Sequence, residues 1–385
     1  MPRQASDLAC QPGFAIFDMM NHIHKADNGT DAALPLPVRP DDVTRDWLER
    51  ALRTQRPGLE LSAAKTIDII PGTSTKLRVH VDAVGADDLP RSLIVKGGFE
   101  DHSAAMGPMY LNEMRFYRDV QPYVPIPSPR CFYAGTDTGS HQSIVIMEDL
   151  VPRGVRFCDP LRPQTVEQVA RRLAVMARYH AATWNSTEFD AGGRFDWIGG
   201  RHEGWSVVYQ DHYLEPERWL YYMAQPRGAA VAQCLQDRDW MKHALSKLGE
   251  LHRAMPPCLC HGDTHLGNLY ELADGTPGFF DAQVARGPAP FEVTYHMVCA
   301  LDIPDRRAHE QWLWRHYLAE LRKYGITAMS FDECWEAYRR EIAYGLFIFL
   351  INETRFQTEA VNTAYTARFG TAAIDHDTHR LLAHQ

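Results

Sequence analysis

The residues best suited to chemistry lie together in the C-terminal half of the chain. The segment HGDTHLGN, residues 261 to 268, places two histidines around Asp263 and ends in Asn268, and Asp281 follows in GFFDAQ. This pattern could belong to a metal-chelating strand, a catalytic loop or a polar break between two buried strands. The choice among these three depends on the structure that brings the side chains together.

The residues between the two acids predict a β-hairpin. LYELADGTPGFFDA turns on Asp274-Gly275, a dipeptide typical of tight hairpin turns. If the strands are symmetric about Gly275, positions 269 and 281 face each other, and Asn268 lies beside Asp281. Carboxylate and amide oxygens that converge in this way suit Mg²⁺, a hard cation that also takes substrate phosphates as ligands.

A plain structural role must be weighed against this site. A single Asn or Asp beside a turn more often caps the turn or bonds to the local backbone. That explanation is adequate for any one of these residues. It is weaker for the ordered set of Asp263, Asn268 and a hairpin that leads to Asp281, so we favour a functional site.

The rest of the sequence predicts two regions of different structure. Strand-forming residues dominate AKTIDIIPG, TKLRVHVDAV, RSLIVKGG, SPRCFYAG and SIVIMEDL, and a helix is expected over 109–120. An earlier helix is expected in DDVTRDWLERALRTQ, opening with acidic cap residues. After residue 150 helices prevail, at 165–184 with a Thr165/Gln168 capping box, and near 229–254, 305–324 and 331–351.

Composition excludes some classes of function. The net charge of −9 disfavours nucleic-acid binding, which needs a basic surface to neutralise phosphates. The eight cysteines are scattered and lack the CxxC spacing of zinc or thioredoxin-type sites. No stretch predicts a signal peptide or a membrane span. We therefore expect a cytoplasmic protein without a membrane partner; the sequence does not indicate its oligomeric state.

The motifs resemble one family of enzymes. HGDTHLGN resembles the catalytic-loop pattern His-Gly-Asp-x-His-x-x-Asn of aminoglycoside phosphotransferases and choline-kinase-like enzymes, and GFFDAQ resembles their metal-binding Asp segment. GPAPFEVTYHM and FYRDV look most like the ecdysteroid-kinase-like branch. The resemblance covers roughly residues 60 to 355. It implies an α+β, bilobal protein-kinase-like fold with a small β-rich N-lobe and a larger, mainly helical C-lobe.

The resemblance also implies roles for individual residues. Asp263 would accept the proton of a substrate hydroxyl that attacks the γ-phosphate of ATP. Asn268 and Asp281 would hold Mg²⁺. Lys96 would pair with nucleotide phosphates and be positioned by Glu113.

Other residues of the candidate site are less sharply defined. His265 belongs to the catalytic loop, where we expect it to brace the backbone. The turn that would cover the phosphates lacks the glycine-rich pattern of protein kinases and offers only Gly72, Thr73 and Ser74. The adenine would meet the backbone at Glu148, Asp149 and Leu150. Many relatives carry an Asp where this chain has Glu292, and we interpret Glu292 as structural.

Aromatic residues suggest the kind of acceptor. Trp and Tyr recur between positions 184 and 225, where relatives build the acceptor pocket. They suit a small, hydrophobic alcohol, steroid- or macrolide-like, or a quaternary ammonium; a polycationic aminoglycoside would call for clustered acids. Building the core of the C-lobe is an equally open role for them.

Two other functions remain as alternatives. One is a non-catalytic, kinase-like nucleotide-binding protein, which the weak phosphate turn favours. The other is an iron oxygenase using His261, Asp263 and a distant histidine, which would need a β-barrel after the motif. The expected organisation is an N-terminal extension with a helix at 1–58, a nucleotide-binding N-lobe at 59–150 and a C-lobe at 151–385.

Overall fold

The computed structural model describes residues 34–137 and 139–383. The chain divides into two compact units. The first extends to Tyr123 and includes Ser128–Val155, and the second comprises Val124–Pro127 and the chain from Arg156 onwards. The part of the predicted extension before residue 34 lies outside the described residues, and the functional division of the chain at residues 58 and 150 stays a prediction.

The first unit is built on one antiparallel sheet with the strand order β1-β2-β3-β5-β4. Its strands are β1 Glu60–Ile70, β2 Thr75–Val84, β3 Ser92–Gly97, β4 Cys131–Asp137 and β5 Gln142–Glu148. In β2 the alternation of the sequence fixes the two faces, because Leu77, Val79 and Val81 are buried and the residues between them are not. All five segments predicted to be strands form strands.

Helix α1 (Arg45–Arg53) confirms the first predicted helix, but not its cap. The expected acidic residues Asp41 and Asp42 lie in a short 3-10 turn before the helix. The cap is Thr44, whose hydroxyl accepts a hydrogen bond from a main-chain amide in the first turn.

Helix α2 (Ser103–Arg115) begins earlier than the predicted 109–120 and continues as a π-helical turn, Phe116–Val120. Pro108 lies inside its first half, where a proline usually signals a helix boundary. The helix carries Glu113 on a buried face.

The second unit is mainly helical. Its helices are α3 Val166–Ala182, α4 Trp205–Tyr213, α5 Pro216–Met223, α6 Pro226–Ala229, α7 Arg238–Ala254, α8 Ala289–Ala300, α9 Ile303–Lys323, α10 Phe331–Ile351, α11 Glu359–Asp375 and α12 Thr378–Leu381. The capping box of Thr165 and Gln168 begins α3 as predicted. Helix α7 starts later than the predicted residue 229, because Asp237 caps it. Helix α11 was missed by the sequence analysis.

Small antiparallel pairings in this unit hold the candidate catalytic segment. Strand β7 (Pro257–Cys260) pairs with β10 (Ala285–Pro288). Strand β8 (Leu269–Glu271) pairs with β9 (Pro277–Phe279) and with the short β6 (Arg156–Phe157).

The β8–β9 hairpin forms, but its register differs from the expected one. Leu269 faces Phe279 rather than position 281, and the amide of Phe280 donates to the carbonyl of Asn268 at 3.0 Å. The centre of the turn therefore lies one residue earlier than expected, and the predicted placement of Asn268 directly beside Asp281 is wrong. Asp281 instead follows the end of the hairpin, in a turn of its own.

Among the described residues, no helix is both long and apolar enough to cross a membrane. The helices after the catalytic segment also contrast with the β-barrel that an iron oxygenase would require. That alternative loses its structural basis.

Arg227 joins the ends of two helices near the candidate site, and its removal should destabilise the second unit. The side chain is fully buried, donates to Glu359 at 3.0 Å, and also donates to main-chain carbonyls at the end of α10. We expect Arg227→Ala to lower the free energy of unfolding by about 3 kcal/mol, because it leaves these acceptors unpaired. Urea denaturation would measure this loss.

The matched control is Arg322→Ala, at an exposed position near the end of α9. This variant should change the free energy of unfolding by less than about 0.5 kcal/mol. Equal losses for the two variants would contradict the structural role of Arg227.

Candidate active site

The loop from β7 to β8 depends on a glycine at its second position. Gly262 has a φ of +84°, and a Cβ atom there would lie 2.0 Å from the carbonyl oxygen of Gln283. A side chain is therefore excluded both by conformation and by space. Arg201 donates to the carbonyl of Gly262 at 3.2 Å and to that of Gln283. The loop is thus tied to the segment that follows Asp281.

Asp263 presents a carboxylate that is held in place yet open to solvent. Its side chain remains 29% exposed. The side-chain amide of Asn268 donates to Oδ2 at 2.8 Å, and the hydroxyl of Tyr295 donates to Oδ1 at 3.1 Å. Each oxygen therefore keeps a lone pair for a further donor. Such an arrangement suits a group that accepts a proton from a bound hydroxyl.

Asn268 is oriented by the same contacts. Its Nδ2 donates both to Oδ2 of Asp263 and to the main-chain carbonyl of Asp263, at 2.8 and 3.0 Å. Both N–H groups of the amide therefore donate hydrogen bonds. Because the two oxygens that this atom contacts are acceptors, it is the amide nitrogen, and the other atom is the oxygen. The carbonyl oxygen of the amide points away from Asp263. It is the atom that a hard cation would take as a ligand.

His265 braces the loop. Its Nδ1 accepts a hydrogen bond from the amide of Gly267 at 3.0 Å. His265 thereby caps the short 3-10 turn that carries Asn268. Its Nε2 lies 3.1 Å from the side-chain amide nitrogen of Gln357. The ring is buried and also packs against the edge of Phe349.

Glu292 is hydrogen-bonded to the loop that carries Asp263. One carboxylate oxygen accepts the amide of Gly262 at 2.7 Å. The other accepts the hydroxyl of Tyr179 at 2.6 Å and Nε2 of His180 at 2.8 Å. All of these groups are buried. The structural role expected for Glu292 from the sequence corresponds to these contacts.

His180 supplies the positive charge that Glu292 needs. Burial alone would lower its pKa, but hydrogen bonds with Cys260 and Glu292 outweigh burial and raise the pKa to about 9. The same pairing holds the pKa of Glu292 below its usual value in spite of burial. At neutral pH the two groups therefore form a buried ion pair. His180 is therefore a buried histidine with both ring nitrogens hydrogen-bonded.

Two cysteines complete the surroundings of His180. The ligand atoms of His180, Cys258 and Cys260 lie within 4.8 Å of one another, which is a spacing that a metal ion could use. Both ring nitrogens of His180 are already hydrogen-bonded, to Glu292 and to the hydroxyl of Tyr317 at 2.8 Å. We therefore interpret His180, Cys258 and Cys260 as part of the packed core and not as a metal site.

Asp281 adopts an unusual backbone conformation. Its φ of +55° lies in the left-handed region, which is uncommon for a residue other than glycine and often marks a functional position. His261 lies close to it: burial lowers the pKa of His261, and the charges of Glu292, Asp263 and Asp281 act against that effect. The neutral ring accepts the amide of Asp263 through Nδ1 at 3.4 Å. His261 thus packs between the segments carrying the two acids.

In the first unit, Lys96 and Glu113 form a buried ion pair. Nζ of Lys96 lies 2.6 Å from both carboxylate oxygens of Glu113, and the two side chains are 4% and 6% exposed. Lys96 comes from the central strand β3 and Glu113 from α2. The structure therefore brings together the two residues that the sequence paired.

The turn between β1 and β2 is anchored to the same helix. The carbonyl oxygen of Thr73 lies 3.0 Å from Nε2 of His102 and accepts a hydrogen bond from the hydroxyl of Tyr110. Burial raises the pKa of Tyr110 to about 12, and the nearby charge of Lys96 partly opposes that effect. Within the described part of the chain, the hydroxyls of Thr73 and Ser74 form no hydrogen bond. Gly72, Thr73 and Ser74 therefore lie on a turn fixed through α2.

The segment at the end of β5 is only partly available to a ligand. The carboxylate of Asp149 accepts Arg78 at 2.9 Å and Ser92 at 2.7 Å, and is therefore structural. The amides of Glu148 and Asp149 donate to carbonyls of Arg130 and Ser92. The amide of Leu150 has no such bond among the described residues. It is the donor that this segment can offer.

The aromatic residues of the second unit form a continuous series of ring contacts. Trp205 contacts Tyr209, Tyr209 contacts Tyr213 and Tyr213 contacts Tyr222, with centroid distances of 5.1, 4.8 and 5.9 Å. We call these four residues the aromatic stack. The hydroxyl of Tyr213 donates to Glu353 at 2.6 Å.

Tyr344 is a further buried tyrosine whose surroundings include Asp263. Burial raises the pKa of Tyr344; the charge of Arg201 opposes this effect, and that of Asp263 adds to it. Its ring also lies 6.2 Å from the ring of Tyr295, which donates to Asp263. Sequence reasoning did not single out either tyrosine. The helical spacing of Tyr295 from Glu292 was the only available signal.

The comparisons with known proteins define the family. Residues 74–286 match the model of the phosphotransferase enzyme family, and this range is more than half of the 385 residues. It includes the Lys96–Glu113 pair and the whole catalytic loop. The chain therefore belongs to the phosphotransferase enzyme family, as the motifs indicated. The assignment to the ecdysteroid-kinase-like branch stays a prediction.

Solved structures support the fold. The chain is similar to choline kinase from Cryptosporidium parvum, with a TM-score of 0.51, 12% identity and coverage of 87% of this chain and 95% of that one. It is also similar to spectinomycin phosphotransferase in complex with ADP and spectinomycin, with a TM-score of 0.50, 11% identity and coverage of 86% and 98%. These similarities confirm the predicted α+β kinase-like fold. The curated protein sequences contain no match to this chain.

The buried His180–Glu292 pair predicts a dependence of stability on pH. The pKa of His180 is raised to about 9 in the folded chain, from 6.5. Its stabilising contribution is therefore complete below about pH 6.5 and is lost as the pH rises through 9. His180→Gln, which keeps a donor to Glu292 but carries no charge, should lower the free energy of unfolding by about 3 kcal/mol near pH 6.5, and by much less near pH 10.

Denaturation of the wild type and the variant at both pH values would measure this difference. The exposed His80→Gln is the control and should leave the free energy of unfolding unchanged at each pH. A loss for His180→Gln that is the same at both pH values would show that the charge of His180 does not matter.

Proposed function

We propose that this protein transfers the γ-phosphate of ATP to a hydroxyl group of a small, hydrophobic molecule, with Mg²⁺ as cofactor. The observation that carries this proposal is the state of Asp263. Its carboxylate is oriented by two donors but remains 29% exposed, so that a hydroxyl group can still reach it. A positioned carboxylate of this kind suits general base catalysis.

The reaction follows from this assignment. The hydroxyl of the acceptor gives its proton to Asp263, and its oxygen forms the new bond to the γ-phosphorus. The bond from that phosphorus to the β–γ bridging oxygen breaks, and ADP leaves. Because such transition states carry spread negative charge, most of the rate enhancement comes from position and from nearby positive charge.

The residues fit a divalent cation. Asn268 has its amide nitrogen bound to Asp263 and its carbonyl oxygen directed elsewhere, and Asp281 is held in a left-handed turn near the same loop. Amide and carboxylate oxygens are ligands that Mg²⁺ prefers. Bound by these residues, Mg²⁺ would neutralise charge on the phosphates.

The first unit would supply the remaining nucleotide contacts. Lys96, fixed by Glu113, is a compact charge for phosphate oxygens. The anchored turn at Gly72, Thr73 and Ser74 would offer amide and hydroxyl donors to phosphate. The amide of Leu150 would bond to the adenine.

The acceptor class rests on the aromatic stack. Aromatic rings favour an apolar or ring-bearing alcohol. The acid bonded to the stack, Glu353, accepts the hydroxyl of Tyr213 and is also paired with Arg355 at 2.7 Å. Its charge is therefore compensated, which fits a hydrophobic acceptor better than a polycation. A cytoplasmic location would suit this function and the cysteines of the described residues, which are free thiols.

Calorimetric titration of ATP, with and without Mg²⁺, tests the nucleotide site. The wild type should bind ATP in a Mg²⁺-dependent manner. Asp281→Asn should weaken this binding by about tenfold or more, because a charged ligand of the cation is lost. Lys96→Met should weaken it as well, because the phosphates lose their positive partner.

Two variants serve as controls. Asp274→Asn changes an exposed acid in the turn of the same hairpin, and Lys65→Met changes an exposed lysine on β1. Neither should affect ATP binding. Absence of binding in the wild type would refute the proposal, whereas binding without transfer or hydrolysis would favour the non-catalytic alternative.

A screen of alcohols with Mg²⁺ and ATP tests the acceptor class. Hydrophobic ring-bearing alcohols should be phosphorylated in preference to choline and aminoglycosides. For an acceptor found in this way, Tyr209→Ala should raise KM for the acceptor by about tenfold and leave KM for ATP unchanged, because only the aromatic wall is lost. Trp312→Ala, at an exposed position on α9, is the control. Phosphorylation of aminoglycosides or choline alone would contradict the proposed class.

A further inference from the structure

Helix α8 holds the catalytic loop through three residues on one of its faces. Glu292 accepts the amide of Gly262, Tyr295 donates to the carboxylate of Asp263, and His296 bonds to the carbonyl of Thr264. The three loop residues are consecutive in sequence. Their partners occupy positions i, i+3 and i+4 of the helix, which lie on the same face of an α-helix.

The helix is rigidly placed. Each residue from Ala289 to Ala300 is buried. Burial lowers the pKa of His296 to about 3, so that its ring is neutral and donates through Nδ1 to the carbonyl of Thr264 at 3.1 Å. The positions of these side chains are therefore determined by packing.

Tyr295 is the one of the three that touches the reacting side chain itself. We propose that Tyr295 is a positioning residue for the base Asp263. Its hydroxyl fixes Oδ1 while Asn268 fixes Oδ2, so that the carboxylate keeps one orientation before an acceptor binds. This inference rests on the proposed function, in which Asp263 is the base.

The surroundings of Tyr295 suit this role. Its ring stacks on Phe349 with an interplanar angle of 15° and a centroid distance of 5.7 Å, and also contacts Phe369 at 6.0 Å. The phenol is therefore packed against two aromatic rings and loses little further freedom when it donates. Burial, and secondly the charge of Asp263, raise the pKa of Tyr295 well above its usual value. The hydroxyl remains a donor throughout the working pH range.

A carboxylate without this donor could rotate about its last side-chain bond. Among the described residues, its remaining side-chain hydrogen bond would come from Asn268, which also bonds to the adjacent carbonyl, while Nε2 of His265 lies 3.6 Å from Oδ2. A base that samples several orientations is less often aligned with the hydroxyl that it must deprotonate. The effect should therefore fall on the chemical step and not on binding of ATP.

Hydrolysis of Mg²⁺-ATP, with water as the acceptor, provides the test in a double-mutant cycle. Tyr295→Phe should lower kcat by about tenfold, which is typical for loss of a hydrogen bond to a charged group, and leave KM for ATP unchanged. In the Asp263→Asn background the same substitution should have no further effect, because Tyr295 acts through Asp263. Multiplicative effects of the two substitutions, or no effect of Tyr295→Phe, would overturn the inference.

Tyr338→Phe is the matched control for general destabilisation. Tyr338 is also buried, and its hydroxyl donates to the carboxylate of Glu310 at 2.7 Å, in a different part of the unit. It should lower thermal stability about as much as Tyr295→Phe without changing kcat. If Asp263→Asn alone leaves hydrolysis unchanged, Asp263 is not the base, and both the proposed function and this inference are overturned.

A second measurement does not depend on activity. In a crystal structure of Tyr295→Phe, the carboxylate of Asp263 should occupy a new orientation or more than one, whereas it should be unchanged in Tyr338→Phe. A single, unchanged orientation of Asp263 in the Tyr295→Phe protein would overturn the positioning role even if no hydrolysis were detected in any variant.

Discussion

The geometry of the catalytic loop depends on one buried negative charge, the carboxylate of Glu292. A carboxylate in an apolar interior is stable only when its lone pairs are used and its charge is balanced. His180 supplies the charge, Tyr179 a hydroxyl and Gly262 a main-chain amide. These partners come from α3 and from the loop after β7, and Glu292 itself lies on α8. Glu292 therefore joins three elements that are distant in sequence and fixes the loop relative to both helices.

This arrangement also explains why the residue at position 262 must be a glycine. The amide of Gly262 reaches Glu292 with the backbone at positive φ, and in that conformation a Cβ atom would lie 2.0 Å from the carbonyl oxygen of Gln283. The next residue along the chain is Asp263. A change at Gly262 would therefore move Asp263, the base of the proposed function, because no other residue separates the two.

Much of the fold could be predicted from local patterns. Alternating apolar residues predicted the strands of the first unit, and the capping box at Thr165 predicted the start of α3. The register of the β8–β9 hairpin could not be derived in this way. The type of a tight turn determines the register of its hairpin. If the centre of the turn moves by one residue, every pair of residues that face each other across the strands changes. For this reason position 281 was wrongly placed opposite position 269.

The pairing of Lys96 with Glu113 was anticipated from the resemblance, whereas the contact between Tyr295 and Asp263 was not. A motif records residues that are close in sequence, and it therefore contains Asp263 and Asn268 together. Tyr295 lies on a helix whose residues are all buried, so no contrast of apolar and polar residues marks the face that meets the loop. Such a partner can be recognised only after the helix has been placed in three dimensions.

The two donors to Asp263 differ in what else they do. Asn268 uses its amide nitrogen on Asp263, and in the proposed function its carbonyl oxygen would bind the cation and so couple the base to the phosphate site. Tyr295 has no such second function and is surrounded by aromatic rings. One donor therefore relates Asp263 to the nucleotide, and the other relates it to the rigid core. An acceptor hydroxyl that reaches Asp263 would meet a base whose orientation is already set, whatever the acceptor is.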